Sequence, residues 1–222
     1  MNNRASKARR VVTPALPLAK NPNKQFAIEF VLDETGSMQR VLRQTVAGFN
    51  QFVEEQRAQS GDCRLSLTKF ESSSLRTPYE NLPISYVPEM NVKTFCPGGG
   101  TNLYDAVGLR IDRLAERLGE WKDHPDVLFV VMTDGEDNGS RYFNAKMVAD
   151  LVHQHRKLGW AFAYLGAGRS AHQIGLEMGF TEGEIRTFDQ VDIADTFRDF
   201  STATTVYRSS RTAGDTTSTV FR

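Results

Sequence analysis

The chain has 222 residues, room for one α/β domain of ordinary size with tails and cramped for two. Hydrophobic residues make up 40% and charged residues 24%, the balance of a globular chain able to bury a core, which excludes disorder throughout. Basic and acidic residues match at 27 each, so no global field points to nucleic acid or to a membrane surface.

Residues 1–24 mix Arg, Lys, Asn and Pro without periodicity and read as a flexible basic arm. Arg4, Lys7, Arg9, Arg10, Lys20 and Lys24 give it a charge of +6 with no acid, leaving −6 for the remainder of a neutral chain. A solvated tail is the simpler reading, with contact to nucleic acid or an acidic surface as the alternative. The apolar stretch 11–19 is short and interrupted by Pro14 and Pro17, a poor match to a signal peptide. No run approaches the ~20 apolar residues of a membrane span. Cys63 and Cys96 are too few for a disulfide framework and read as free thiols of a reducing compartment.

From Phe26 onward, strand and helix patterns alternate. Residues 26–32 form a nearly continuous apolar run ending at Asp33, as expected for a central parallel strand covered on both faces. Met38, Val41, Leu42, Val46, Phe49 and Val53 recur at helical spacing and predict one long amphipathic helix. Residues 65–70 read as a strand, whereas 75–87 are broken by Pro78 and Pro83 and suit an antiparallel edge strand.

Leu103, Val107, Ile111, Leu114 and Leu118 mark a second helix, with Gly119 as its stop. Residues 127–132 are a second buried strand, ending near Asp134. A helix through Phe143, Met147, Leu151, Val152, His155 and Leu158 follows, then an apolar strand over 160–165. A short helix at 171–178, a strand at 185–188 and a helix through Ile193, Phe197 and Phe200 complete the pattern. Residues 201–222 are rich in Ser and Thr and read as a disordered tail, which sets the domain at 25–200.

Such alternation implies a doubly wound, mostly parallel α/β sheet with right-handed crossovers, of Rossmann-like type. Sheets of this kind place ligands outside the carboxyl ends of their strands, at the switch point. Three polar clusters fall at strand ends: residues 33–37 (Asp-Glu-Thr-Gly-Ser), 98–102 (Gly-Gly-Gly-Thr-Asn) and 133–138 (Thr-Asp-Gly-Glu-Asp-Asn). Each alone is ordinary turn and cap chemistry. Together they deliver two aspartates and the hydroxyls of Thr35, Ser37 and Thr101 to one sheet edge. Oxygen donors without His or Cys favour a hard cation such as Mg²⁺ or Mn²⁺.

These residues resemble the metal-ion-dependent adhesion site of von Willebrand factor A domains: D-x-S-x-S, then a Thr in a Gly-rich loop, then an Asp after a later strand. The resemblance spans roughly residues 25–200, with Thr35 standing where Ser is usual. It implies that Thr35, Ser37 and Thr101 coordinate a metal directly, and that Asp33 and Asp134 do so directly or through water. It also implies that an Asp or Glu of a partner protein completes the shell. Glu34, Asn102, Glu136 and Asp137 are candidates for contacting that partner, whereas Asp105 is explained by the helix dipole at a first turn. Intracellular relatives of the family often serve in larger assemblies, including with AAA+ ATPases, so the expectation is a non-catalytic cytoplasmic binding module, bacterial or phage in flavour.

Other readings compete. The segment 33–37 also looks like the D-K-T-G-T loop of haloacid-dehalogenase-type phosphotransferases, which would make Asp33 a nucleophile beside Mg²⁺. Against this, Glu34 replaces the Lys and the Thr101 loop has no counterpart. Residues 166–171 nominally fit a dinucleotide fingerprint but sit on a late strand, where a tight turn explains them. His153 and His155 lie two apart on a helix and do not face each other, and no G-x-S-x-G elbow is present. Cys96 lies just before the Gly-rich loop and reads as an ordinary loop or core thiol.

Overall fold

A computed structural model describes residues 25–119, 124–168, 170–189, 192–215 and 217–221. The basic arm predicted for 1–24 lies outside the described residues. Six strands form one sheet: β1 (Phe26–Asp33), β2 (Cys63–Glu71), β3 (Ser74–Pro83), β4 (Asp126–Thr133), β5 (Ala161–Ala167) and β6 (Ile185–Phe188), in the order β3-β2-β1-β4-β5-β6. All neighbouring pairs are parallel except β2 with β3, which makes β3 the antiparallel edge expected from its prolines.

The sheet is covered on both faces by α1 (Leu42–Arg57), α2 (Leu103–Gly119), α3 (Ala145–Lys157), α4 (Ala171–Glu177) and α5 (Ile193–Thr212). Side chains alternate across β1. Phe26, Ile28, Phe30 and Leu32 join Phe49 and Phe52 of α1 and Phe197 and Phe200 of α5 in one core. Ala27 and Val31 join Leu103, Val107, Ile111 and Leu114 of α2 and Val148 and Val152 of α3 in the other. Phe52 and Phe200 stack at 4.9 Å, and Phe30 meets Phe49 edge to face at 5.3 Å. A Cβ at Gly48 would lie 2.2 Å from the Phe197 ring, so the close approach of α1 to α5 requires glycine there.

Glu29 interrupts the apolar run of β1 and is buried beneath α2. Its carboxylate accepts from Arg110 Nε at 2.8 Å, Arg117 stands 3.6 Å away, and Arg110 in turn binds Glu80 of β3 at 2.9 Å. Burial pushes the Glu29 carboxyl up, against the lowering influence of the two arginines. The edge strand is thereby tied to a helix through a buried charge network.

Two features differ from the sequence reading. The segment predicted as one helix from Met38 begins as a 3₁₀ turn, Gly36–Val41, before α1 starts at Leu42. The tail expected to be disordered from residue 201 is instead the second half of α5, which continues to Thr212 with Tyr207 buried. Its hydroxyls mislead composition arguments because they bond back to the helix: Ser209 Oγ donates to Thr205 O and Thr212 Oγ1 to Arg208 O, both at 2.9 Å. Phe197, Phe200, Thr204 and Tyr207 keep the buried face at helical spacing. Beyond the helix Val220 and Phe221 are buried in the same core, so the structured unit does not stop at residue 200.

Candidate metal centre

The strand order reverses between β1 and β4, and both strands end at the same edge in register, with Leu32 opposite Met132. A crevice opens at such a point because the connections leave in opposite directions. Asp33 is the last residue of β1 and is fully buried. Its Oδ1 accepts from the Thr35 amide at 2.7 Å and its Oδ2 from the Thr133 hydroxyl at 2.6 Å. Thr133 Oγ1 also accepts from the Gly135 amide at 3.1 Å, which fixes the turn carrying Asp134.

The hydroxyls of Thr35 and Ser37 stand 3.1 Å apart, and Ser37 Oγ donates to Asp134 Oδ1 at 2.5 Å. A hydroxyl has one proton, so Thr35 is the donor to Ser37 and a single chain runs from Thr35 through Ser37 to Asp134. The other Asp134 oxygen, Oδ2, is buried without a hydrogen-bond partner. Burial pushes the Asp33 carboxyl up to about 6, with the neighbouring Asp134 charge adding to the rise against the hydrogen bonds from Thr133 and Thr35. Asp134 is likewise raised, first by burial, with Ser37 and the Arg40 charge opposing. Two carboxylates are thus held close together in a dry place.

The Gly-rich loop brings Thr101 to the same spot. Gly36 N donates to Gly99 O at 3.2 Å and Gly98 N to Glu34 O at 3.0 Å, stitching this loop to the one after β1. Gly99 takes φ +68°, a left-handed backbone conformation that favours glycine. Thr101 Oγ1 lies 3.3 Å from where a Cβ on Gly135 would sit, placing its hydroxyl against the turn of Asp134. The structure therefore gathers all five predicted ligands, Asp33, Thr35, Ser37, Thr101 and Asp134.

The predicted partner-facing residues separate into two kinds. Glu136 is exposed, and Asn102 is half-buried with its Oδ1 unpartnered. Asp137 accepts from Tyr104 N at 3.2 Å and from Ser140, so it ties its own loop to the first turn of α2. Glu34 is fully buried: Oε1 accepts from Lys69 Nζ at 3.0 Å and from the Cys96 amide at 2.7 Å, and Oε2 binds Arg76. That leaves no carboxylate surface for a partner, and Glu34 serves instead to brace the Gly-rich loop against β2 and β3.

The supporting contacts of three residues escaped the sequence reading. Thr133 binds Asp33. Asn138 accepts from Thr101 N at 2.7 Å and donates its own amide to Thr101 O at 2.8 Å. Asp105, assigned to the helix dipole, also accepts the amides of Arg141, Tyr142 and Phe143 at 2.7–2.8 Å and pins the loop after β4. The Asp-Gly-Glu-Asp-Asn run signalled a turn, but no local pattern says which turn residue reaches back to Thr101. Within the segment 166–171, Gly166 and Ala167 are the end of β5 and Ala171 opens α4; a Cβ on Gly166 would lie 2.5 Å from the Tyr164 ring.

Among the described residues no three His, Cys, Asp or Glu side chains converge on one point. The site has two carboxylates and three hydroxyls, a hard oxygen set with a free buried carboxylate oxygen. That donor chemistry fits a small divalent cation.

No protein-family profile matches the sequence, and no curated protein aligns with it. Solved structures do. Proximal thread matrix protein 1 from the mussel byssus superposes with a TM-score of 0.58 at 13% identity over 84% of this chain and 47% of that one. One structure of that protein has a zinc-occupied metal-ion-dependent adhesion motif. The pilus adhesin SpaC from Lactobacillus rhamnosus GG superposes with a TM-score of 0.65 at 12% identity over 85% of this chain and 31% of that one. Manganese-loaded TRAP protein of Plasmodium vivax gives 0.53 at 14% identity, covering 78% and 72%. The chain thus spans less than half the length of the first two. The fold is that of von Willebrand factor A domains.

Proposed function

We propose that this von Willebrand factor A-type domain is a non-catalytic, divalent-metal-dependent binding module that engages an acidic residue of a partner protein. The observation that carries the reading is the hydroxyl chain from Thr35 through Ser37 to Asp134, beside buried Asp33 and with Asp134 Oδ2 unpartnered. Thr35, Ser37, Thr101, Asp33 and Asp134 would hold Mg²⁺ or Mn²⁺. The bound ion supplies an electrophilic point that a carboxylate oxygen can occupy. The three hydroxyl donors are neutral and the two carboxylates at most balance the ion's charge, so the loaded site carries no excess negative charge to repel an incoming carboxylate. The zinc and manganese seen in two fold neighbours support a divalent ion of this class.

Nothing in this arrangement requires a nucleophile. Both Asp33 oxygens already accept hydrogen bonds, from Thr35 and Thr133, and the Thr101 loop is an integral part of the site. The exposed free thiol of Cys96 supports a cytoplasmic setting. That the acidic group comes from a subunit of a larger assembly, such as an AAA+ ATPase, rests on the resemblance alone. The test is an NMR titration of the protein with acetate, with Mg²⁺ present and after chelation. Shifts at Ser37 and Thr101 that require the metal support the reading, and equal shifts without it contradict it.

A further inference from the structure

Arg40 stands immediately beside the metal ligands. In the 3₁₀ turn Gly36–Val41, residues three apart eclipse one another, so Arg40 sits directly over Ser37, and side chains lean toward the N-terminal end of such a turn. The side chain follows that direction: Arg40 is exposed, yet its Nε folds back to Ser37 O at 3.5 Å. Among the described residues the guanidinium has no carboxylate within ion-pair distance, unlike Arg76, Arg110 and Arg211, which are each paired. An arginine beside a cation site with no carboxylate partner among the described residues opposes the cation and is placed to meet an anion that arrives with it.

We infer that Arg40 is a second anchor for the acidic ligand, so that the site selects a peptide segment presenting two carboxylates over one presenting a single carboxylate. One carboxylate meets the metal and the other meets the fork of the guanidinium, a pairing that planar geometry favours. This inference rests on the metal-dependent binding proposed above and deepens it by naming the ligand as di-acidic. It also gives Arg40 opposite effects on two equilibria. Before the ligand arrives its positive charge repels the metal ion, and afterwards it retains the ligand.

The test uses Mn²⁺ alone and then simple carboxylates, read by water-proton relaxation of the Mn²⁺-loaded protein. Acetate is compared with succinate, glutarate and adipate, whose two carboxylates lie at increasing separations. In the wild type the best dicarboxylate displaces bound water at a concentration about 5-fold or more below that of acetate, the size expected for one semi-exposed ion pair at low salt. In Arg40→Gln that advantage disappears while acetate is little changed, and Mn²⁺ affinity without carboxylate rises about 2- to 3-fold. Arg43→Gln, one turn onward and also exposed, behaves as wild type. A dicarboxylate advantage that survives in Arg40→Gln overturns the role of Arg40. If no carboxylate displaces water in any variant, the acidic-ligand reading of the whole site falls, and this inference with it.

Discussion

The Thr133 hydroxyl donates to Asp33 Oδ2 at 2.6 Å, joining the ends of β4 and β1 across the point where the sheet reverses its order. The contact holds the carboxylate of one strand by a side chain of the next, so the site is built into the strand pair and does not depend on loops alone. Thr133→Val keeps the shape and removes the donor. Outer hydrogen-bond partners of this kind typically change metal affinity about 10- to 100-fold. Calorimetric titration of Mg²⁺ is expected to show that loss with the fold intact by circular dichroism.

Glu34 holds two cations that have little else. Lys69 is 5% exposed at its side chain and its ammonium also meets Thr94 O. Glu34→Ala leaves that ammonium buried and unpaired, a change that costs about 3 to 5 kcal/mol. Urea denaturation is the measurement, and a midpoint shift matching an exposed control such as Glu89→Ala would show that the pair contributes little.

The Asp33 carboxyl titrates at about 6 in the metal-free fold, against an ordinary value of 3.8 in the unfolded chain. The folded state holds the proton more tightly, so this group's contribution to stability is full below the unfolded value and is lost as pH rises through about 6. A difference of that size corresponds to about 3 kcal/mol. A metal ion, which displaces the proton, reverses the trend. The rise in melting temperature on adding Mg²⁺ should therefore be small at about pH 5 and large at about pH 7.5; a rise that is the same at both would contradict coordination by Asp33.

Truncation after Phe200 removes the second half of α5. Tyr207 packs against Phe26 at 5.9 Å, Phe221 against Phe200 at 6.1 Å, and Arg211 pairs with Asp126 at the start of β4. Losing a single buried aromatic side chain costs about 3 to 5 kcal/mol. A 1–200 fragment is expected to unfold at much lower urea than the full chain, or to aggregate, whereas an equal midpoint would restore the boundary at 200.

Much of this was legible in the sequence, for physical reasons. Buried parallel strands are apolar on both faces, so β1 and β4 stand out as runs, and the aspartates that end them mark the sheet edge. The five candidate ligand positions rest on the resemblance to the D-x-S-x-S, Thr and Asp signature, and the fold brings those side chains to one sheet edge. The brace of Glu34, the reach of Asn138 to Thr101 and the grip of Asp105 on residues 141–143 are contacts between segments more than thirty residues apart, which no local pattern encodes. The second half of α5 was hidden by composition: its Thr and Ser hydroxyls satisfy themselves on the helix backbone, and a few aromatic positions carry the burial.

The most direct test of the central claim is calorimetric titration of Mg²⁺ and Mn²⁺ into the chelator-stripped protein, beside Asp33→Ala and Thr101→Ala, followed by incubation with acetyl phosphate. Saturable binding that both variants lose, with no acid-labile adduct, is the predicted result. Binding that survives in both variants, or a phosphoryl adduct that depends on Asp33, would contradict the account.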